Sequence, residues 1–171
     1  AWNAAAACCD AAAFTSDLPR RSYTSAVSTS ISYGVKAAIT ISVCNLRPES
    51  RGSVHARTSD PSAGPSIQPN YLSSESDRVT AVESLRLVRR VVEQPALKRF
   101  SPQEYAPGDH LKSDAELAKA AGDIGTTIFH PVGTAKMGIA SDAMAVVDER
   151  LRVRGVEGLR VIDASVMPRI T

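Results

Sequence analysis

The stretch SSESDRVTAVESLRLVRRVVEQP, residues 73–95, constrains the fold more than any other part of the sequence. Apolar residues recur at Val79, Val82, Leu85, Val88 and then Val91 or Val92. Spacing of three and four puts them on one side of an α-helix, which must bury that side against something. Ser74 with Asp77 three residues on forms a variant of the capping box, and Pro95 stops the helix. Arg86, Arg89 and Arg90 fall on or beside the solvated face, a more ordinary place for them than a binding patch.

A proline-rich loop, SPQEYAPGDH, leads to a second helix. There Ser113 and Glu116 make a full S-x-x-E capping box, Leu117, Ala120 and Ala121 give a small apolar face, and Gly122 can end it. Strand signals lie to either side. AITISVCNL alternates β-branched residues, SVHAR follows Gly52 as a short second strand, and PSAGPSIQPNYL reads as a loop with an extended piece around Ile67. Late in the chain AVVDERLRVRG alternates Leu151 and Val153 with Arg150, Arg152 and Arg154, the pattern of a half-buried strand. LRVIDASV reads as a more apolar strand ending in Asp163. Nothing after Pro168 caps or closes the structure, so the end reads as cut.

Residues 1–38 differ in texture. AWNAAAACCDAAAF is alanine-rich, and SDLPRRSYTSAVSTSISYG is rich in hydroxyls. The basic start of a signal peptide is missing, and Asp10 and Asp17 argue against a transit peptide. This segment reads as a disordered or non-native leader ahead of a domain over 39–171. A chain of 171 residues suits one domain or a piece of a larger one. A net charge of +2 without a long basic run argues against nucleic acid or an acidic membrane surface, and no stretch is apolar for long enough to span a membrane. Cys8, Cys9 and Cys44 form neither a CxxC nor zinc spacing, and sparse cysteine suggests a reducing compartment, the cytoplasm.

The candidate chemistry centres on FHPVGTAKMG, residues 129–138. Pro131 restricts His130 to extended backbone angles, Gly133 permits a tight turn, and Thr134 can bond locally. Such a loop could aim an imidazole as a proton acceptor, although a structural loop histidine has the same sequence. Asp163, with the small Ala164 and Ser165 after it, fits a strand end that approaches a ligand, or a turn aspartate bonding its own backbone. There is no GxGxxG and no GxSxG. Ser53 lies two residues from His55, but that alone makes no triad. His55 and His110 read as structural or surface residues, and the histidines lack metal spacing.

HPVGT with KMG, followed by SDAMAVVDERLRVRGVEGLRVIDASVMP, closely resembles the C-terminal signature of the glucose-methanol-choline oxidoreductases, nearest their choline-dehydrogenase-like and alcohol-dehydrogenase-like branch. NLRPESRGSV and PNYLSSESDRVTAVESLRLVRR resemble upstream pieces of the same region, so the likeness covers about residues 40–171. It implies an α+β domain, an antiparallel sheet with flanking helices on the substrate side, ending in a strand that rejoins an FAD-binding α/β domain. It implies FAD as cofactor, a small alcohol as substrate, and oxidation to a carbonyl. The matching histidine, His130, would be the catalytic base, and Asp163 with Ala164 would touch FAD. This sequence departs from the family in lacking the glycine-rich flavin motif, and a second active-site histidine or asparagine would fall beyond Thr171. The expectation is therefore a chain that is inactive without the flavin-binding half. A non-catalytic interaction module and a serine hydrolase using His130 are the alternatives.

Overall fold

The computed structural model describes residues 39–170 and the backbone of Tyr23–Ser28; Cys8, Cys9 and most of the leader segment lie outside the described residues. The chain is α+β and divides into two compact units. The first contains strands β1 (Tyr23–Ser28) and β2 (Thr40–Asn45) and helices α1 (Glu75–Val92), α2 (Pro95–Lys98) and α3 (Asp114–Ile124). The second contains β3 (Ser53–His55), β4 (Ser66–Gln68) and the extended chain after Ile124.

The expected antiparallel pairing takes the form of two short two-stranded ladders among the described residues. β1 pairs with β2 from Tyr23↔Asn45 to Ser28↔Thr40, so a strand lies inside the segment that composition sets apart as a leader. β3 pairs with β4 from Ser53↔Gln68 to His55↔Ser66, which realises the extended piece around Ile67. Gly52 enters this hairpin where no side chain fits, because a Cβ there would stand 2.1 Å from the Gln68 carbonyl oxygen. The two strands expected over 145–166 are absent as strands. Only isolated bridges form, Met137↔Val147, Val147↔Val153 and Arg152↔Arg160. The reason is local: Leu151 is left-handed at φ 64°, and the Asp148 carboxylate gathers the amides of Arg150 and Arg152, each at 2.9 Å. An aspartate turn has outcompeted the ladder. The alternation in burial survives, with Leu151 and Val153 half-buried between exposed arginines.

α1 forms where the periodicity places it, with Glu75 and Asp77 in its first turn and Arg89 and Arg90 in its last, both favourable to the helix dipole. The expected stripe is covered, with Val79, Leu85, Val88 and Val92 half-buried, but polar residues are buried as well. Asp77, Thr80 and Ser84 are buried together with Val82, whereas Val91 is 44% exposed. α1 packs on β2, and Asp77, read as half of a cap, accepts a hydrogen bond from Asn45 Nδ2 at 3.0 Å. A buried carboxylate needs such partners to offset its lost hydration. Of the three arginines, Arg86 and Arg90 are exposed as their spacing implies, and Arg89 is half-buried. Arg89, 21% exposed, grips Glu104 through two bonds of 2.9 Å and reaches the carbonyls of Leu111 and Gly108. Arg86 pairs with Asp114 and bonds the Lys112 carbonyl at 3.2 Å. Together they fasten the loop before α3 onto α1. Pro95 does more than end α1, since it opens the short helix α2 as its first residue.

The capping box of α3 forms as its sequence indicates. Glu116 Oε2 accepts from the amides of Lys112 (3.0 Å) and Ser113 (2.9 Å) and from the Ser113 hydroxyl (2.8 Å), while the Glu116 amide donates back to Ser113 Oγ (3.3 Å). Leu117 and Ala120 are buried behind it. The helix runs past Gly122 to Ile124, with Lys119 paired to Asp123 at 2.5 Å across its last turns.

These bonds, led by the one from the Ser113 amide, hold the Glu116 carboxyl down at about 2, against an ordinary 4.5. A depressed carboxylate contributes stability that is present above its unfolded value and is lost as pH falls through its folded one. Thermal midpoints should therefore drop more steeply between pH 4.5 and 2 in the natural chain than in Glu116→Gln, and the two curves should approach each other at the acid end. Parallel curves would contradict the cap.

Candidate functional site

The loop that carries His130 is fixed from both sides. Upstream, the Phe129 amide donates to Thr127 Oγ1 at 3.0 Å, which supports Phe129 at the left-handed φ of 61°. An aromatic residue rarely tolerates that angle without such help. Pro131 then confines His130 to extended angles. Downstream, Gly133 turns at φ 88°, open only to glycine at low cost. From there alternate amides point one way, as they do in an extended chain. Gly133 N and Ala135 N both donate to the Ser165 carbonyl, at 3.0 and 3.1 Å, and Met137 N donates to the Val166 carbonyl at 2.8 Å.

The acceptors belong to a 3₁₀ turn over Ala164–Val166. Asp163 caps it, its Oδ1 accepting from Ser165 N at 2.7 Å, and the Val166 and Met167 amides return to the carbonyls of Asp163 and Ala164. The next rung would need an N–H at position 168. Pro168 has none, so the Ser165 carbonyl is left open for the His130 loop. Of the two readings of Asp163, the turn aspartate is present in the structure. Hydrogen bonds from the Ser165 side chain and backbone hold its carboxyl below the usual range.

Beneath the loop lies Val147, fully buried. Lys136 O accepts from Val146 N at 2.8 Å, and Gly138 N donates to Val147 O at 3.1 Å. Arg154 reaches the Gly138 carbonyl at 2.6 Å, and Lys136 Nζ pairs with Asp142 Oδ2 at 2.6 Å. That lysine bond is the main reason the Asp142 carboxyl titrates low. Asp148 is held at about 2, chiefly by its side-chain bond to Arg152.

The fold thus links the sequence candidates His130, Asp163 and Ala164 through backbone hydrogen bonds, and leaves all three exposed. His130 has no hydrogen bond or ion pair among the described residues, so its imidazole is open to a ligand. Phe129 (83% exposed) and Ile162 (74%) offer apolar surface on the same two segments. His55 lies exposed on β3, and His110 sits beside Gly108, where a Cβ would stand 2.6 Å from the ring's Cε1. Neither joins His130. Two surface depressions of about 430 and 380 Å³, one along 152–160 beside Asp148 and one around Gly52 and Gln68, do not include it either. No three metal-ligating side chains cluster among the described residues.

Sequence reasoning missed the Lys136–Asp142 pair, the Asp148–Arg152 clamp and the role of Pro168. The clamp has a signal in the sequence, opposite charges four residues apart, which the strand reading does not use.

The family model for the C-terminal part of GMC oxidoreductases matches residues 48–171. The oxygen-dependent choline dehydrogenase 1 of Chromohalobacter salexigens is 43% identical over 145 residues, 82% of this chain and 26% of that protein. The oxygen-dependent choline dehydrogenase of Klebsiella pneumoniae is 46% identical over 128 residues, 75% of this chain and 23% of that protein. Among solved structures, pyridoxine 4-oxidase from Mesorbium loti aligns with a TM-score of 0.71 at 28% identity, over 86% of this chain and 30% of its own. The Aspergillus oryzae formate oxidase, in a variant made to study FAD modification, gives 0.71 at 32% identity, over 82% of this chain and 24% of its own. The chain spans about a quarter of the length of the curated relatives it matches.

Val147 is the packing centre under the His130 loop, so Val147→Ala should cost about 1.5–3 kcal/mol in chemical denaturation. Ile139→Ala, at a side chain 73% exposed, should stay within about 0.5 kcal/mol. Equal losses would remove Val147 from that role.

Proposed function

Because the chain belongs to the GMC oxidoreductase family, we propose that it is the substrate-side part of an FAD-dependent enzyme that oxidises a primary or secondary alcohol to a carbonyl, with His130 as the base. The observation that carries this reading is the exposed imidazole without a protein partner, on a loop fastened by Thr127 on one side and Ser165 on the other. An imidazole poised in this way can take the hydroxyl proton and return it, which is worth about 10²–10⁴-fold in rate. Loss of that proton makes the carbinol carbon a far better hydride donor.

The residues present suit a flavin. Ala164 and the tightly turned backbone around it present no bulk to a flat ring system, and Phe129 and Ile162 supply apolar surface on the joined segments. Asp163 and Ala164 are the residues we assign to holding it. FAD, when bound, supplies the hydride acceptor. Leu159 and Val161 pair with the turn before them, Val153 N donating to the Leu159 carbonyl at 3.0 Å and Val161 N to the Leu151 carbonyl at 3.1 Å, while Leu159 is 49% and Ile162 74% exposed; there we place the junction with the flavin-binding domain. The relatives' names attach choline, pyridoxine and formate to this architecture. No helix among the described residues is long and apolar enough to cross a membrane, and we place the enzyme in the cytoplasm on its sparse cysteines.

In the enzyme that contains this segment, His130→Ala should lower kcat/KM for alcohol by about 10²–10⁴-fold while the flavin stays bound. Undiminished turnover would overturn the assignment. Purified without a flavin-binding domain and mixed with FAD, the 171-residue chain should show no stoichiometric bound-flavin spectrum and no alcohol oxidation. A full complement of bound flavin would refute the division of labour.

A further inference from the structure

We infer that Asp163 is a positioning residue for His130, acting through the Ser165 peptide rather than through any contact of its own with the imidazole. This rests on His130 being the base, as proposed above, but it is carried by a separate set of bonds.

The chain of influence can be followed atom by atom. Asp163 Oδ1 accepts from Ser165 N at 2.7 Å and closes the first turn of the 3₁₀ segment. That turn fixes the Ser165 peptide, whose carbonyl accepts Gly133 N and Ala135 N at 3.0 and 3.1 Å; one residue on, the Val166 carbonyl accepts Met137 N at 2.8 Å. The Ser165 carbonyl is available because Pro168 cannot donate to it. Gly133, at φ 88°, lies three residues from His130, and as a glycine it has the widest choice of backbone angles once its bond is lost. On the other side the loop has the Phe129–Thr127 bond, which restrains Phe129 but not the chain beyond Pro131. The carboxylate therefore sets the aim of a side chain more than thirty residues away in sequence. Hydrogen bonding from Ser165 also lowers the Asp163 pKa, as expected of a carboxylate committed to a cap.

Amide hydrogen exchange on the 171-residue chain, resolved by residue, tests this without flavin. Asp163→Ala should speed exchange at Gly133, Ala135 and Met137 roughly five-fold, the effect of losing a typical cap, and leave Leu117 in α3 unchanged. Asp163→Asn, which keeps the accepting oxygen but not the charge, should restore the natural rates. The same variants should move the His130 ring signals in the NMR spectrum in the alanine form and return them in the asparagine form. Natural exchange rates at all three amides in a folded Asp163→Ala chain would overturn the inference. If that variant loses protection at Leu117 as well, Pro168→Ala decides. A donor restored at position 168 competes for the Ser165 carbonyl and should loosen Gly133 and Ala135 alone; unchanged rates there would sink the proposal. The underlying reading fails differently: turnover that survives His130→Ala removes the base and leaves the amide protection intact.

Discussion

One carbonyl oxygen, that of Ser165, holds the candidate site together. It accepts two amides from a loop thirty residues earlier, because the residue that would have satisfied it within its own turn is a proline. A carbonyl left without a partner in a half-buried position costs about 1–3 kcal/mol, so the turn and the His130 loop are each incomplete alone and complete together. The two stretches of sequence that most resemble a known family, HPVGTAKMG and LRVIDAS, are thus joined by backbone hydrogen bonding. Side chains enter only as supports: Asp163 shapes the turn, Thr127 steadies Phe129, and Lys136 pairs with Asp142 below.

Where local chemistry decides the structure, the sequence could be read directly. Ser113 and Glu116 formed their box, Pro95 ended one helix and opened another, and Gly52 stands where a side chain cannot. Where several local preferences competed, the reading failed. The alternation Leu151–Arg152–Val153–Arg154 obeys strand periodicity in burial, yet Asp148 offers the amides of Arg150 and Arg152 a nearer acceptor than a neighbouring strand. α1 adds a second case. Its apolar stripe is present, with Val82 buried and Val79, Leu85, Val88 and Val92 half-buried, but Asp77, Thr80 and Ser84 are buried as well, and Asn45 on β2 supplies a hydrogen bond to the Asp77 carboxylate. Periodicity finds a helix; it does not find the polar side chains that become buried with it.

For the site residues the sequence leaves two readings open. Nothing in spacing alone separates His130 from a loop histidine or Asp163 from a turn aspartate, and the geometry shows that Asp163 is indeed a turn aspartate. The two roles need not compete. A carboxylate that caps its own turn also decides where the next two carbonyls point, so the more ordinary reading of Asp163 is the means by which it can matter to His130.

The exposure of this region has an energetic meaning. Phe129 holds a left-handed backbone angle of 61° with its ring 83% exposed, and Ile162 is 74% exposed on the segment bonded to the same loop. Strain in a non-glycine residue is of the order of 1–3 kcal/mol, and an exposed aromatic ring recovers none of it by burial. Such an arrangement is worth keeping if something covers the ring, because the angle that strains Phe129 also sets the direction of the His130 peptide that follows it. Covering the loop would also take the imidazole out of bulk water, where a base and a developing alkoxide are stabilised without preference for either. On the reading proposed above, the unfavourable angle at Phe129 and the open carbonyl at Ser165 are two halves of one device. One lies immediately before His130, and the other holds the amides that follow it.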